Sequence, residues 1–340
     1  MNALQIEREG HTRLVNVGMP EPAPGDVLLR VRTVGFCGSD LNTYRGRNPL
    51  VSFPRIPGHE IAAVVEHVGA DVPAGRFTPG QHVTVLPYTE CGTCAACMRG
   101  RPNACRDNQT LGVQRDGAMT EFVAVPWQKV LDAGGLSARE LALVEPLSVG
   151  FHAVDRGRVT AQDSVIVIGC GAVGLGAISG AAQRGARVIA VDVHDGKLAL
   201  ARRAGAAETI NSRDDSLHER AQSLTNGHGA DVVIEAVGLP DTFVVAVQEA
   251  AFTGRVVYIG YAQAPVTYET SQFVKKELDI LGSRNATAND FRAVMTMLRT
   301  GAFPVCDAVT RVVDLADAGQ ALGDWSASPS DITRIHVDVS

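Results

Sequence analysis

The chain has 340 residues, enough for about two domains at roughly 100–200 residues each, and so can bury a sizeable core. Apolar residues make up 45% and charged residues 20%, and 31 Lys+Arg against 37 Asp+Glu leave a net charge of −6, which excludes a disordered chain and a polybasic nucleic-acid surface. Aromatic residues are only 5% while glycine reaches 35, a balance that suits a Val/Ile/Ala-rich α/β protein with many tight turns.

Met1 to Gly10 carries Glu7, Arg8 and Glu9 and no apolar stretch, so it lacks a secretory pattern, and a cytoplasmic location is expected. Val27–Val34 and Ile61–Val68 read as strands separated by Pro/Gly turns at 20–25, 54–58 and 79–80, and the first 150 residues are expected to be mostly β. Between these strands stand Cys37, in Gly35-Phe-Cys-Gly-Ser-Asp40, and the pair His59-Glu60 after Gly58. Taken alone, such a cysteine is more often a small core residue than a ligand, and such a histidine more often a satisfied structural one. The stretch after them is more specific. Cys91, Cys94, Cys97 and Cys105 place four of the seven cysteines within fifteen residues, in a loop containing Gly92, Gly100 and Pro102. Four thiolates complete a tetrahedral Zn²⁺ and leave no open position, so this site is expected to be structural, tying down a lobe of about residues 88–108. An iron–sulfur cluster is the other chemical reading, but nothing else in the chain provides an electron-transfer context.

Further on, Val165 to Ala182 runs eighteen residues without a charge, close to the length of a membrane span. Five glycines (Gly169, Gly171, Gly174, Gly176 and Gly180) divide it instead into a short strand, a tight turn and a small-residue helix. The turn reads Gly169-Cys-Gly171-Ala-Val173-Gly174, a GxGxxG directly after a strand and opening a helix. The first glycine permits the turn, the second lets backbone approach a pyrophosphate, and the third lets helix and strand pack closely. The next strand, Arg187–Val191, leads to Asp192, 192 − 174 = 18 residues past the last glycine, where a carboxylate can accept from a ribose 2′-hydroxyl and would repel a 2′-phosphate. NAD is therefore expected over NADP. Lys197 either reaches the adenosine ribose or is a solvated helix face. Helical stretches at Lys197–Ala206 and Thr242–Ala251 alternate with apolar runs at Asp231–Ile234 and Arg255–Ile259, which implies βαβ units and a parallel sheet, with Gly260 beside the cofactor. The chain then offers an amphipathic helix at Asp290–Thr300 and strands at Ala308–Val313 and Ile335–Val339.

With these motifs in order, the chain resembles the zinc-dependent medium-chain dehydrogenases, close to the sorbitol dehydrogenase branch, over nearly its whole length. The residues that carry the resemblance are Cys37-Gly-Ser-Asp40, Gly58-His59-Glu60, the four-cysteine loop, Glu145-Pro-Leu-Ser-Val-Gly150 and the glycine turn. The fold it implies is α/β: a Rossmann-type NAD-binding domain at 148–282 and a mostly β, GroES-like catalytic domain from 1–147, to which 283–340 returns, with the active site in their cleft. It also implies a second, catalytic zinc on Cys37 and His59, with either Glu60 or Glu145 completing the set and one position open. One thiolate, one neutral imidazole and one carboxylate bring that site to zero charge, so one glutamate is expected to ligate at a time. Ser39 matches the family hydroxyl that accepts the alcohol proton. Many relatives pass that proton to a histidine, whereas this chain has Asn42, which cannot titrate.

Thr43 and Tyr44 are expected to help line the substrate pocket, although Tyr44 equally suits a packing aromatic. Gly282-Ser-Arg-Asn-Ala-Thr287 lies where the chain returns to the catalytic lobe, and Arg284 or Asn285 is expected to meet the substrate, since a fixed cation can bind a carboxylate bidentately or several hydroxyls of a polyol. Together with Lys275-Lys276-Glu277, this loop resembles those of bacterial dehydrogenases of sugar acids such as L-galactonate and L-gulonate, oxidised at C5. Plain polyols are the near alternative. A cofactor-binding sensor without turnover and a zinc-free reductase of the same superfamily are the competing classes; the intact Cys37, Ser39, His59 and Glu60 set argues against the first, and Cys37 with Cys91 to Cys105 against the second. A homodimer or homotetramer is expected, built on the Arg255–Ile259 sheet edge, with a small-molecule substrate and neither nucleic acid nor membrane as partner.

Overall fold

The computed structural model describes residues 1–329 and 332–339. Two compact units divide the chain, one formed by Met1–Glu145 with the described residues from Val305 onward and the other by Pro146–Pro304. The stretch from Ser283 to Pro304, expected to belong with the returning segment, packs with the second unit.

The first unit is built on a seven-stranded sheet. Its order is Arg311–Asp314, Ile335–Asp338, Asp26–Gly35, Glu60–Val68, His82–Val85 and Val130–Asp132, with Phe122–Pro126 also pairing on Asp26–Gly35. Asp26–Gly35 is the hub, because it pairs antiparallel with three neighbours. Its apolar residues Val27, Leu29, Val31 and Val34 join Phe36, Ile61, Val65, Val83 and Leu322 in one buried cluster, and that burial, worth about 25 cal/mol per Å² of apolar surface, drives the unit together. A separate hairpin, Asn2–Arg8 with His11–Asn16, adds Leu4 and Ile6 to the same cluster. The segment Ala308–Val313, expected as one strand, instead begins in a helical turn, Val305–Ala308, and becomes a strand only at Arg311–Asp314.

The second unit is a six-stranded parallel sheet in the order Glu208–Asn211, Arg187–Asp192, Ser164–Ile168, Ala230–Glu235, Ala250–Tyr258, Asp279–Gly282. Numbered by sequence this is 3-2-1-4-5-6, the doubly wound arrangement whose crevice for ligands opens between the first and fourth strands. The uncharged Val165–Ala182 run resolves into the strand Ser164–Ile168 and the helix Ala172–Gln183. Among the described residues no helix is long and apolar enough to cross a membrane. Arg255–Tyr258 proves to be interior to the sheet, since Ala250–Tyr258 is flanked on both sides; the edge strand beside it is Asp279–Gly282. Sequence periodicity missed that strand because it is short and mostly exposed, so it lacks the continuous apolar run of a buried parallel strand.

Candidate functional site

The four-cysteine loop folds so that its sulfurs converge. The Sγ atoms of Cys91, Cys94, Cys97 and Cys105 all lie within 4.8 Å of one another, with Cys94 3.5 Å from Cys97 and 3.9 Å from Cys105. Thiolates about 2.3 Å from a tetrahedral zinc are about 3.8 Å apart, so the spacing fits that ion. Backbone amides favour the charge as well: Cys91 N–H donates to Cys105 Sγ and Cys94 N–H to Cys91 Sγ, each at 3.3 Å. Amides of Cys97 and Arg106 directed at Cys94 draw its thiol down to about 6, so a thiolate is available at neutral pH. The short helix of this lobe, Ala95–Met98, has no buried residue. Cys97→Ser is therefore expected to lower bound zinc by one equivalent per chain and to open the loop to trypsin at the exposed Arg99 and Arg106; metal analysis with limited proteolysis checks this, and an unchanged metal content would remove the ligand role.

The second cluster gathers from separate elements. Cys37 caps the helix Gly38–Tyr44, where the Asp40 carboxylate accepts from Cys37 N–H at 2.8 Å, and His59 and Glu60 enter at the start of the strand Glu60–Val68. Gly35 stands opposite Glu60 across the paired strands, and a Cβ there would collide with the Glu60 carboxylate. Cys37 Sγ, a His59 ring nitrogen and a Glu60 oxygen lie within 4.8 Å of one another. His59 is 4% exposed and Glu60 fully buried, while His59 Nδ1 and Ser39 Oγ are buried without a hydrogen-bond partner. Burial alone would push the His59 imidazole down, but the Cys37 sulfur with the Asp40 and Glu145 carboxylates raises it well above its ordinary value. A dry pocket with this much negative charge calls for a cation, and the donor set suits zinc.

Around this cluster lie groups that sequence reasoning missed. Arg334, 274 residues from Glu60 and itself buried, donates through Nη1 to both Glu60 oxygens at 2.5 and 2.7 Å and to the Phe36 carbonyl at 2.7 Å. Burial pushes the Glu60 carboxyl up, with Arg334 opposing it. Tyr88 OH donates to Glu145 Oε1, and burial followed by that carboxylate raises the phenol. Glu145 is raised too, by burial. Glu145 is thus near His59 but outside the ligand group that holds Glu60. The charge balance drawn from sequence omitted the Arg334 guanidinium and the Asp40 carboxylate, whose charges offset one another.

The glycine turn presents a second cradle. Gly169 has φ +97°, and a Cβ at Gly174 would strike the Gly169 carbonyl, so only glycine fits at either position. Beyond Gly171 there is open space, and the Ala172–Gln183 helix starts there with the unpaired first-turn amides common to every helix N-terminus. Val173 lies in that turn. Asp192 ends its strand with Oδ2 accepting from Cys170 N–H at 2.8 Å and Oδ1 from Val193 N–H and His194 N–H. Lys197 is half-buried one turn into the next helix, Asp195–Arg203. A Cβ at Gly260 would meet Gly238 backbone, so this glycine permits the strand ends to approach. These features fit a dinucleotide.

Other expected residues are engaged elsewhere. Thr43 is buried with its hydroxyl donating to the Ser39 carbonyl at 2.9 Å and accepting from Asn48 at 3.1 Å, and Tyr44 packs against the main core of the first unit. Both stand on the helix Gly38–Tyr44. Arg284 and Asn285 lie half-buried in the loop after Asp279–Gly282, Asn285 with φ +54°.

Comparison with known proteins adds to this geometry. The alcohol dehydrogenase GroES-like domain matches residues 23–134 and the zinc-binding dehydrogenase family matches residues 172–300. The L-galactonate-5-dehydrogenase of Escherichia coli K12 is 31% identical over 283 residues, covering 83% of each chain. The erythritol/L-threitol dehydrogenase of Mycolicibacterium smegmatis is 33% identical over 339 residues, covering 95% of this chain and 93% of that protein. Among solved structures, the alcohol dehydrogenase rspB of E. coli CFT073, complexed with NADH, superposes with a TM-score of 0.91 at 28% identity, covering 100% of this chain and 99% of that one.

Proposed function

Because this chain belongs to the zinc-type medium-chain alcohol dehydrogenase family, we propose that it oxidises a secondary alcohol of a sugar acid, such as L-galactonate or L-gulonate at C5, with NAD as hydride acceptor. The observation that carries the reading is the convergence of Cys37, His59 and Glu60 within 4.8 Å, beside a buried Ser39 hydroxyl that has no partner. Cys37, His59 and Glu60 would hold the catalytic zinc, and Cys91, Cys94, Cys97 and Cys105 the structural one. When bound, zinc supplies Lewis acidity toward the reacting hydroxyl and NAD supplies the hydride acceptor.

The chain's own groups prepare the rest. Ser39 Oγ accepts the substrate hydroxyl proton while releasing its own to bulk water, because Asn42, whose amide does not titrate, cannot take it. Tyr88 fixes one oxygen of Glu145 and leaves the other to accept from a substrate hydroxyl. Arg334 orients Glu60 and opposes the effect of burial on its carboxyl. Gly169, Gly171, Val173, Gly174 and Gly260 cradle the dinucleotide, Lys197 reaches toward its ribose, and Asp192 favours NAD by repelling a 2′-phosphate. Arg284, with Asn285, meets the substrate carboxylate. A homo-oligomeric state and a cytoplasmic location belong to the same reading, which light scattering and cell fractionation check.

The test is the initial rate of NAD⁺ and NADP⁺ reduction on zinc-quantified protein across hexonates and the matching polyols, for the native chain and Arg284→Ala. Hexonate turnover should exceed polyol turnover, and Arg284→Ala should lower kcat/KM for the hexonate by about tenfold or more, the loss of one charge-assisted hydrogen-bond pair, with a smaller effect on the polyol. Equal losses would remove the carboxylate role of Arg284. Preference for a polyol would favour the reading that the erythritol/L-threitol relative supports, and no turnover with zinc loaded would sink the dehydrogenase reading.

A further inference from the structure

The loop that carries Arg284 and Asn285 is tied at both ends to one helix. At its start, Arg156 Nε donates to the Gly282 carbonyl at 3.2 Å, while Ser283 N–H donates to the Tyr258 carbonyl at 2.9 Å. At its end, Thr287 caps the helix Ala288–Arg299, and the Asp290 carboxylate accepts from Thr287 N–H at 2.7 Å and Thr287 Oγ1 at 2.6 Å. The same Asp290 oxygen lies 3.0 Å from His152 Nδ1, with His152 6% and Asp290 9% exposed. Although burial opposes it, hydrogen bonds from His152 and Thr287 hold the Asp290 carboxyl below its usual value, so it is an ionised acceptor and Nδ1–H the donor.

His152 and Arg156 are four residues apart on the helix Val144–Arg156, which places them one above the other on one face, and Glu145 lies in that helix's first turn. Between the two ties the backbone takes the left-handed conformation at Asn285, which asparagine adopts more readily than other non-glycine residues. A capping box alone would need neither tie, because Asp290 already satisfies Thr287. The contacts from Arg156 and His152 therefore orient the loop beyond what starting a helix requires.

We propose that His152, acting through Asp290, and Arg156 are positioning residues that set the Ser283–Thr287 loop, and thereby the placement of Arg284 and Asn285 against the substrate. This rests on the proposed role of that loop in substrate recognition. The experiment compares the native protein with His152→Leu, which removes the donor, and His152→Asn, whose amide nitrogen can replace Nδ1. Amide hydrogen exchange over 283–290 is read without turnover; initial rates on the preferred hydroxy substrate and NADH affinity are read beside it. His152→Leu should speed exchange in that segment about tenfold and raise substrate KM by a similar factor, with NADH affinity and kcat within about twofold, and His152→Asn should restore both. Unchanged exchange overturns the tie itself. Faster exchange with kcat, KM and NADH affinity all impaired together, or with no recovery in His152→Asn, reduces His152 to a structural role and overturns the proposal. If the native protein turns over no hydroxy compound, the functional reading fails, and a loop that exchanges faster then has no substrate to position, which overturns the assignment by a separate readout.

Discussion

Replacing His59 by alanine is expected to lower kcat/KM by about a thousandfold and to reduce bound zinc from two equivalents per chain to one. Lewis-acid stabilisation of a developing charge is worth several kcal/mol, and about 4 kcal/mol corresponds to three decades in rate. The imidazole is 4% exposed between the Cys37 sulfur and the carboxylates of Asp40, Glu60 and Glu145, so no solvent ligand takes its place without rebuilding the pocket. The four-cysteine site should keep its metal, because its ligands are confined to 91–105. NADH affinity should also be unchanged, the glycine turn being in the other compact unit. Metal analysis with steady-state kinetics decides the matter. Loss of activity with both zinc equivalents retained would mean that His59 acts other than as a ligand, and full activity with one equivalent would mean that the reaction does not use this cluster.

Arg334→Met should destabilise the first unit by about 3–5 kcal/mol, the cost of leaving a buried carboxylate without its partner. For a unit of this size that is a fall in Tm on the order of 10 °C. Arg334 is 4% exposed and Glu60 not at all, so water cannot compensate for the lost guanidinium, and the Phe36 carbonyl loses its donor as well. Burial has already raised the Glu60 carboxyl, and without Arg334 it should rise further and bind a metal less well. Glu60→Gln with Arg334→Met should recover part of the stability, because no buried charge is then left alone. Thermal unfolding of the two single variants and the double variant forms the cycle. A single-variant loss no larger than that of an exposed pair, about 1 kcal/mol, would show that the ion pair contributes little.

Features whose partners lie close along the chain are legible from the residues alone. Four cysteines within fifteen residues can reach one ion whatever surrounds them, and GxGxxG between an apolar run and a small-residue helix imposes its own turn. The alternation of apolar runs with helical stretches likewise announced the parallel sheet, because each βαβ unit is a local pattern. Where local signals were weak, the expectation failed locally: the exposed edge strand Asp279–Gly282 has no core face to betray it, and Gly38–Tyr44 is too short to show a helical period.

Only the tertiary structure decided which groups complete the second cluster. Tyr88 meets Glu145 across 57 residues, and Arg334 meets Glu60 across 274. Neither position stands out in composition or spacing. The strand register makes the second pair: His336 lies opposite Gly35 and Gly35 opposite Glu60, which brings the start of Ile335–Asp338 beside Phe36 and lets Arg334 enter next to the carboxylate. His152 finds Asp290 in the same way, through the packing of two helices 138 residues apart. Ligand types follow from side-chain chemistry and can be read along a chain, whereas the charges that tune them come from whichever distant strands and helices the buried apolar faces bring together.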